Sequence, residues 1–167
     1  MNFLARFFLV LLIFLFNSCS KETVKKSIIK ENSLEAQVLE AYKEGKIALE
    51  GGDVLFAAKK FNEAEILFPQ SEWAPKSALM AAYAYYIQDY YGDSIAELIR
   101  FLKVYPKDKN LDYAYYLLGI CYFEQIVDEK KDMQSIIQSK ETFKTLVKKF
   151  PNTEYAIDAK FKLDLID

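Results

Sequence analysis

The chain has no histidine, and its 167 residues include only two cysteines, four prolines and five glycines. Without histidine it lacks the commonest general base and the commonest metal ligand. Of the cysteines, Cys121 stands between Ile120 and Tyr122 in an apolar segment. A lone cysteine there behaves as a small core residue rather than a nucleophile. The glycines form no phosphate-cradling loop, and Gly51-Gly52 reads as a helix-ending turn. Asp128, Glu129 and Asp132 cluster, but they lack calcium-loop spacing and Lys130-Lys131 interrupts them. With no catalytic constellation left, the chain reads as a non-enzyme without metal or cofactor. Charge of neither sign dominates: 24 acidic against 22 basic residues leave a net −2. No basic stripe is large enough to neutralise phosphates, which excludes a nucleic-acid partner. A hydrophobic content of 52% and a charged content of 28% are those of a folded chain.

The amino terminus carries an export pattern. One positive charge, Arg6, precedes an unbroken apolar run from Phe7 to Phe16. A membrane-crossing helix needs about 20 apolar residues, so this run is too short and reads as the core of a signal peptide. Ser18-Cys19 closes the run and resembles a bacterial lipobox, although Phe16 and Asn17 depart from its usual leucine and small residue. In such signals residues 1–18 are removed and Cys19, covalently lipidated, becomes the first mature residue. Ser20 after it resembles the pattern routed to the outer membrane. Several acyl chains anchor stably where one is marginal. Ordinary signal cleavage beside an incidental cysteine is the alternative. Residues 19–32 read as the lipidated cysteine and a flexible polar tether. A helix is expected from Asn32, with Glu35 as its capping-box partner.

Three of the four prolines follow an aromatic residue: Phe68-Pro69, Tyr105-Pro106 and Phe150-Pro151. Each pair ends a helix-patterned segment, and an alanine-rich one follows. From Pro69 to Pro106 is 37 residues, and from Pro106 to Pro151 is 45. Both intervals fit the tetratricopeptide unit of about 34 residues plus insertions. With each proline at position 32, and the eight extra residues of the third unit left out of the count, Gly45, Ala82 and Gly119 fall at position 8, Ala57, Ser94 and Ser139 at 20, and Phe61 and Phe143 at 24. Small residues stand where two helix backbones cross, and bulk stands where bulk is needed. Ala48, Phe101 and Leu146 depart from the consensus. The eight extra residues of the long interval are expected between the helices of the third unit, around Asp128 to Met133. The expected fold is therefore all-α, a right-handed superhelix of antiparallel helix pairs. Its units are about 38–71, 75–108 and 112–153, with the start of a fourth at 154–167. No second helix follows to cover that last segment, so further carboxy-terminal repeats are expected in the native protein.

Aromatics are abundant, with 12 tyrosines and 13 phenylalanines. In each first helix, positions 5, 9 and 12 form one stripe at i, i+4, i+7, on the side that lines the concave surface of stacked hairpins. The stripe is Tyr42, Lys46 and Leu49, then Leu79, Tyr83 and Tyr86, then Tyr116, Ile120 and Phe123. Only Lys46 is polar, whereas an ordinary solvated stripe would be polar throughout. An exposed apolar stripe marks an interaction groove, and tyrosine offers rigid area with a hydroxyl for a peptide backbone. Cover by a neighbouring helix, by the inserted loop or by further sequence is the competing reading. Lys46 is either solvated or a partner for a terminal carboxylate.

The segments SEWAPKSALMAAYAYY, YPKDKNLDYAYYLLGICYFEQIVD and FPNTEYAIDAKFKLDLI resemble the BamD family, also called ComL, from about Ser33 to Asp167. That family is an outer-membrane lipoprotein of the β-barrel assembly (BAM) machinery. The resemblance implies five repeats, contact with BamA and other BAM components mainly through carboxy-terminal repeats, and reception of outer-membrane-protein carboxy-terminal segments by the amino-terminal ones. It also implies a place on the periplasmic face of the outer membrane. The competing class is another periplasmic repeat lipoprotein, such as a CpoB-like Tol partner or a cell-wall scaffold. The dense AYAYY and YAYYL patterns argue against it.

Overall fold

The computed structural model describes residues 28–127 and 133–166. Cys19 and residues 128–132 lie outside that range. Among the described residues there are seven helices and no strand. They are α1 (Ile28–Glu50), α2 (Val54–Leu67), α3 (Trp73–Tyr86), α4 (Tyr91–Val104), α5 (Leu111–Val127), α6 (Met133–Lys149) and α7 (Glu154–Ile166). None of these is long and apolar enough to cross a membrane.

Each aromatic-proline pair does the same work. Proline disfavours helical geometry at the residue before it. Accordingly α2 stops at Leu67, α4 at Val104 and α6 at Lys149, each one residue short of the aromatic. The aromatic then folds inward: Phe68, Tyr105 and Phe150 each pack against the core of their own repeat. The turn out of α1 uses Gly52 at φ +82°, where a side chain would be strained. Asp53 then caps α2 by accepting the amide of Phe56 at 3.1 Å.

The hairpins are held by matched sizes at the crossing. A Cβ added to Gly45 would lie 2.9 Å from the Phe61 ring, and one added to Gly119 would lie 2.6 Å from Cδ1 of Phe143. Both phenylalanines are fully buried. In the second repeat the crossing residue is Ala82, and position 24 is the smaller Leu98, buried in the same cluster. Glycine faces phenylalanine, and alanine faces leucine. At position 20 the Ser94 hydroxyl donates to the Ala82 carbonyl at 2.9 Å, and the Ser139 hydroxyl to the Gly119 carbonyl at 3.1 Å. These bonds pin the backbones together where the side chains are smallest.

Successive helices pack antiparallel along the whole chain. The first helices α1, α3, α5 and α7 also touch one another from repeat to repeat, while the backbones of α2, α4 and α6 stay apart. Close first helices and splayed second helices curve the stack and place the first helices on the inner face.

Three expectations need correction. The chain is already helical at Ile28, so Asn32 lies inside α1 rather than capping it, and the tether is shorter than 19–32. The extra residues of the third repeat are not confined to a loop, because α5 and α6 have 17 residues each where α3 and α4 have 14. Ser135 and Gln125 accordingly meet across the lengthened ends at 3.3 Å.

Candidate functional site

The expected stripe does not lie open along its length. Tyr42, Leu79 and Ile120 are only 7%, 8% and 5% exposed. Tyr42 is wedged between Phe61 of its own hairpin and Trp73 of the next repeat, with ring centroids 5.3 and 5.1 Å away. Leu49 is half-buried against the first core cluster. The physical reason is the contact between first helices: each new repeat rolls onto part of the stripe before it and covers Tyr42, Leu79 and Ile120. Lys46 is exposed, with Glu50 3.9 Å away on the same helix. Phe123 is half-buried beneath the ammonium of Lys162, 5.1 Å from its ring centre. Tyr116 stacks on Tyr155 at 5.1 Å and donates its hydroxyl to Asp158 at 2.8 Å.

What stays open is a cleft of about 1130 Å³ on the inner face. It is lined by Leu79, Met80 and Tyr83 of α3, with Tyr113 of α5 and Tyr155 of α7. Trp73 and Lys76 of α3 and the α4–α5 turn from Lys107 to Asn110 also line it. Three successive first helices therefore contribute an aromatic or apolar side chain to one concavity. Tyr83 lies 6.4 Å from Tyr86, Tyr86 lies 6.1 Å from Tyr91, and Tyr113 lies 5.5 Å from Tyr155. Burial is the main cause that raises the phenol pKa of Tyr86, Tyr113, Tyr116 and Tyr155, with neighbouring tyrosines or carboxylates adding to it. All four stay neutral at physiological pH, as hydrogen-bonding phenols.

Of the stripe residues, Leu79 and Tyr83 line the cleft, whereas Trp73, Lys76, Met80, Tyr113 and Tyr155 are additions. A signal for them was present. Trp73 and Tyr155 each stand four residues after a repeat proline, and Lys76 and Tyr113 each stand seven after one. On α3, residues 73, 76, 80 and 83 continue one face towards the amino terminus, one turn beyond where the stripe was begun.

No group of histidine, cysteine, aspartate and glutamate able to hold a metal occurs among the described residues. Cys121 is fully buried, and burial pushes its thiol up to about 11. It stays protonated and points at the Ser94 hydroxyl, 3.3 Å away.

Comparison with known proteins bears on both fold and family. The Arabidopsis OM64 TPR domain superposes with a TM-score of 0.60 at 14% identity, over 79% of this chain and 98% of that one, which supports the tetratricopeptide fold. The outer membrane protein assembly factor BamD of Caulobacter vibrioides is 37% identical over 149 residues, 89% of this chain and 48% of the relative. The protein of the same name from Rickettsia prowazekii is 33% identical over 142 residues, 85% of this chain and 57% of the relative. The chain thus spans about half the length of the curated relatives it matches. The model of one family, YfiO, described as an outer membrane lipoprotein, matches residues 34–167. By that match, which takes in every repeat and the whole cleft, the chain belongs to the YfiO/BamD family of outer membrane lipoproteins.

Proposed function

We propose that this chain is a non-enzymatic scaffold of the outer-membrane β-barrel assembly machinery, and that its inner cleft receives carboxy-terminal segments of unfolded outer-membrane proteins. The carrying observation is the cleft itself, lined by Leu79, Met80, Tyr83, Tyr113 and Tyr155 from three successive first helices. A β-strand segment has an apolar face with a two-residue period and unpaired backbone groups. Phenol rings offer both flat apolar area and hydroxyls to such a segment. BamA and other BAM components are the proposed stable partners, engaged outside the cleft.

Cys19 is proposed as the lipid-bearing anchor. Cys19→Ala is expected to move the mature protein from the outer-membrane fraction to the soluble periplasm. An unmodified mature amino terminus in the wild-type mass spectrum would refute the anchor.

The cleft is tested by titrating a fluorescent peptide that carries a barrel protein's carboxy-terminal strand. Tyr83→Ala and Tyr113→Ala are each expected to weaken binding by about 2 kcal/mol, roughly thirtyfold in Kd, the usual loss on truncating a well-packed aromatic anchor. Circular dichroism verifies that the variants are folded. Wild-type affinity in both folded variants would place the peptide elsewhere.

A further inference from the structure

Two residues of the expected stripe, Tyr116 and Phe123, are not among those that line the cleft. Both receive side chains of α7 instead. Tyr155, Asp158 and Lys162 share one face of that helix at i, i+3, i+7. They meet α5 in step. The Tyr155 ring centre lies 5.5 Å from that of Tyr113 and 5.1 Å from that of Tyr116. One turn on, Asp158 accepts the Tyr116 hydroxyl at 2.8 Å. One turn further, the Lys162 ammonium lies 5.1 Å from the Phe123 ring centre and 3.6 Å from the Asp158 carboxylate.

This junction differs from the two before it. Tyr42, packed against Trp73, and Leu79, clustered with Ala114 and Leu117, are buried apolar side chains that close the α1–α3 and α3–α5 contacts. On α7 the buried residues are Ala156 and Ala159. Side chains that small give little ridge to interlock with a neighbouring helix, so they let α7 approach without fixing its rotation. Among the described residues α7 packs on α5 and α6 alone, and its Ile157, Phe161 and Leu165 stand exposed. The directional restraint at this junction is the hydrogen bond from Tyr116 to Asp158. Tyr155, the α7 side chain that lines the cleft, stands three residues from Asp158 on the same face. Whatever holds Asp158 therefore also aims Tyr155.

We propose that Tyr116 and Asp158 are positioning residues: their hydrogen bond sets the rotation at which α7 presents Tyr155 to the cleft, although neither residue lines it. This rests on the cleft being the peptide site. Tyr116, expected from the stripe to touch the peptide, acts through α7 instead.

The test titrates the full-length chain with the fluorescent barrel-strand peptide. Tyr116→Phe keeps the ring beside Tyr155 and removes only the hydroxyl. It is expected to weaken binding about fivefold, the scale of one hydrogen bond, with wild-type circular dichroism. Asp158→Asn keeps an acceptor for the hydroxyl and is expected to bind like wild type, whereas Asp158→Leu loses as much as Tyr116→Phe. The deciding arm is the Tyr155→Ala background. There Tyr116→Phe is expected to cause no further loss, because the ring through which the hydroxyl acts is gone. Wild-type affinity in Tyr116→Phe, or an undiminished fivefold loss on the Tyr155→Ala background, overturns the assignment, while weakened binding by Tyr83→Ala and Tyr113→Ala keeps the cleft as the peptide site. Wild-type affinity in Tyr83→Ala, Tyr113→Ala and Tyr155→Ala alike overturns the cleft reading and this inference together.

Discussion

Gly119→Leu is expected to destabilise the third hairpin by about 3 kcal/mol, the upper end for overpacking a filled core. A Cβ at this position would lie 2.6 Å from Cδ1 and 2.9 Å from Cζ of Phe143, closer than packed carbons approach. Phe143 is fully buried, so its ring has no solvent to retreat into. Even Gly119→Ala should destabilise, although alanine favours a helix over glycine by about 1 kcal/mol, because the clash exceeds that gain. The second repeat supplies the remedy. There Ala82 tolerates its Cβ because position 24 is Leu98. Gly119→Ala combined with Phe143→Leu should therefore recover much of the stability lost by Gly119→Ala alone. Thermal unfolding measures all three variants. A double variant no more stable than Gly119→Ala would show that the size match is not what holds the hairpin.

The second large effect is expected at Arg100. Its guanidinium donates to both oxygens of Glu65 at 2.7 and 2.6 Å and through Nε to Glu97 at 2.9 Å. Tyr105 donates its hydroxyl to the same Glu65 at 2.6 Å. Glu65 belongs to α2 and Arg100 to α4, two second helices whose backbones do not touch. The bidentate pair is thus a polar strut between the first and second repeats. The hydrogen bond to Glu65 is the main reason the Arg100 pKa rises still higher. Arg100→Met leaves the carboxylate of Glu65, whose side chain is 9% exposed, without its cation. The expected loss is about 2–3 kcal/mol, below the full value for a buried pair because the Arg100 side chain is 39% exposed and partly screened. Replacing both residues by methionine should regain part of the loss, since no stranded charge remains. Nearest-neighbour coupling governs stacked repeats, so Arg100→Met should also separate the unfolding of the first repeat from the rest. A single variant that melts like wild type would show the strut to be energetically idle.

The residues of the hairpin crossing and those of the strut differ in how far the sequence alone discloses them. Gly45, Ala82 and Gly119 were legible because a close backbone crossing admits only small side chains and recurs at a fixed place in each repeat. The aromatic-proline pairs were legible for a similar local reason. Glu65 and Arg100 were not. They stand 35 residues apart on two different helices, and only the stacking of the repeats brings them within hydrogen-bond distance. The cleft fell between these cases. The face that first helices turn inward followed from the repeat register, and Leu79 and Tyr83 were named on it. How far each repeat rolls over the one before is a tertiary quantity. That roll buries Tyr42 and Ile120 and opens the earlier turn at Trp73, Lys76 and Tyr113 instead. The lengthened α5 and α6 escaped notice because helix extension and loop insertion add the same number of residues to the sequence.

The inner face, and not the outer one, is the proposed seat of the polypeptide. Site-specific photo-cross-linking tests it most directly. A photoreactive residue is placed at Tyr83 or Tyr113 on the inner cleft, or at Ile99, which is 50% exposed on the second helix α4. A labelled carboxy-terminal barrel peptide is then added and illuminated. Cross-links are expected from positions 83 and 113 and none from position 99. Cross-links from position 99 with none from the cleft would contradict it.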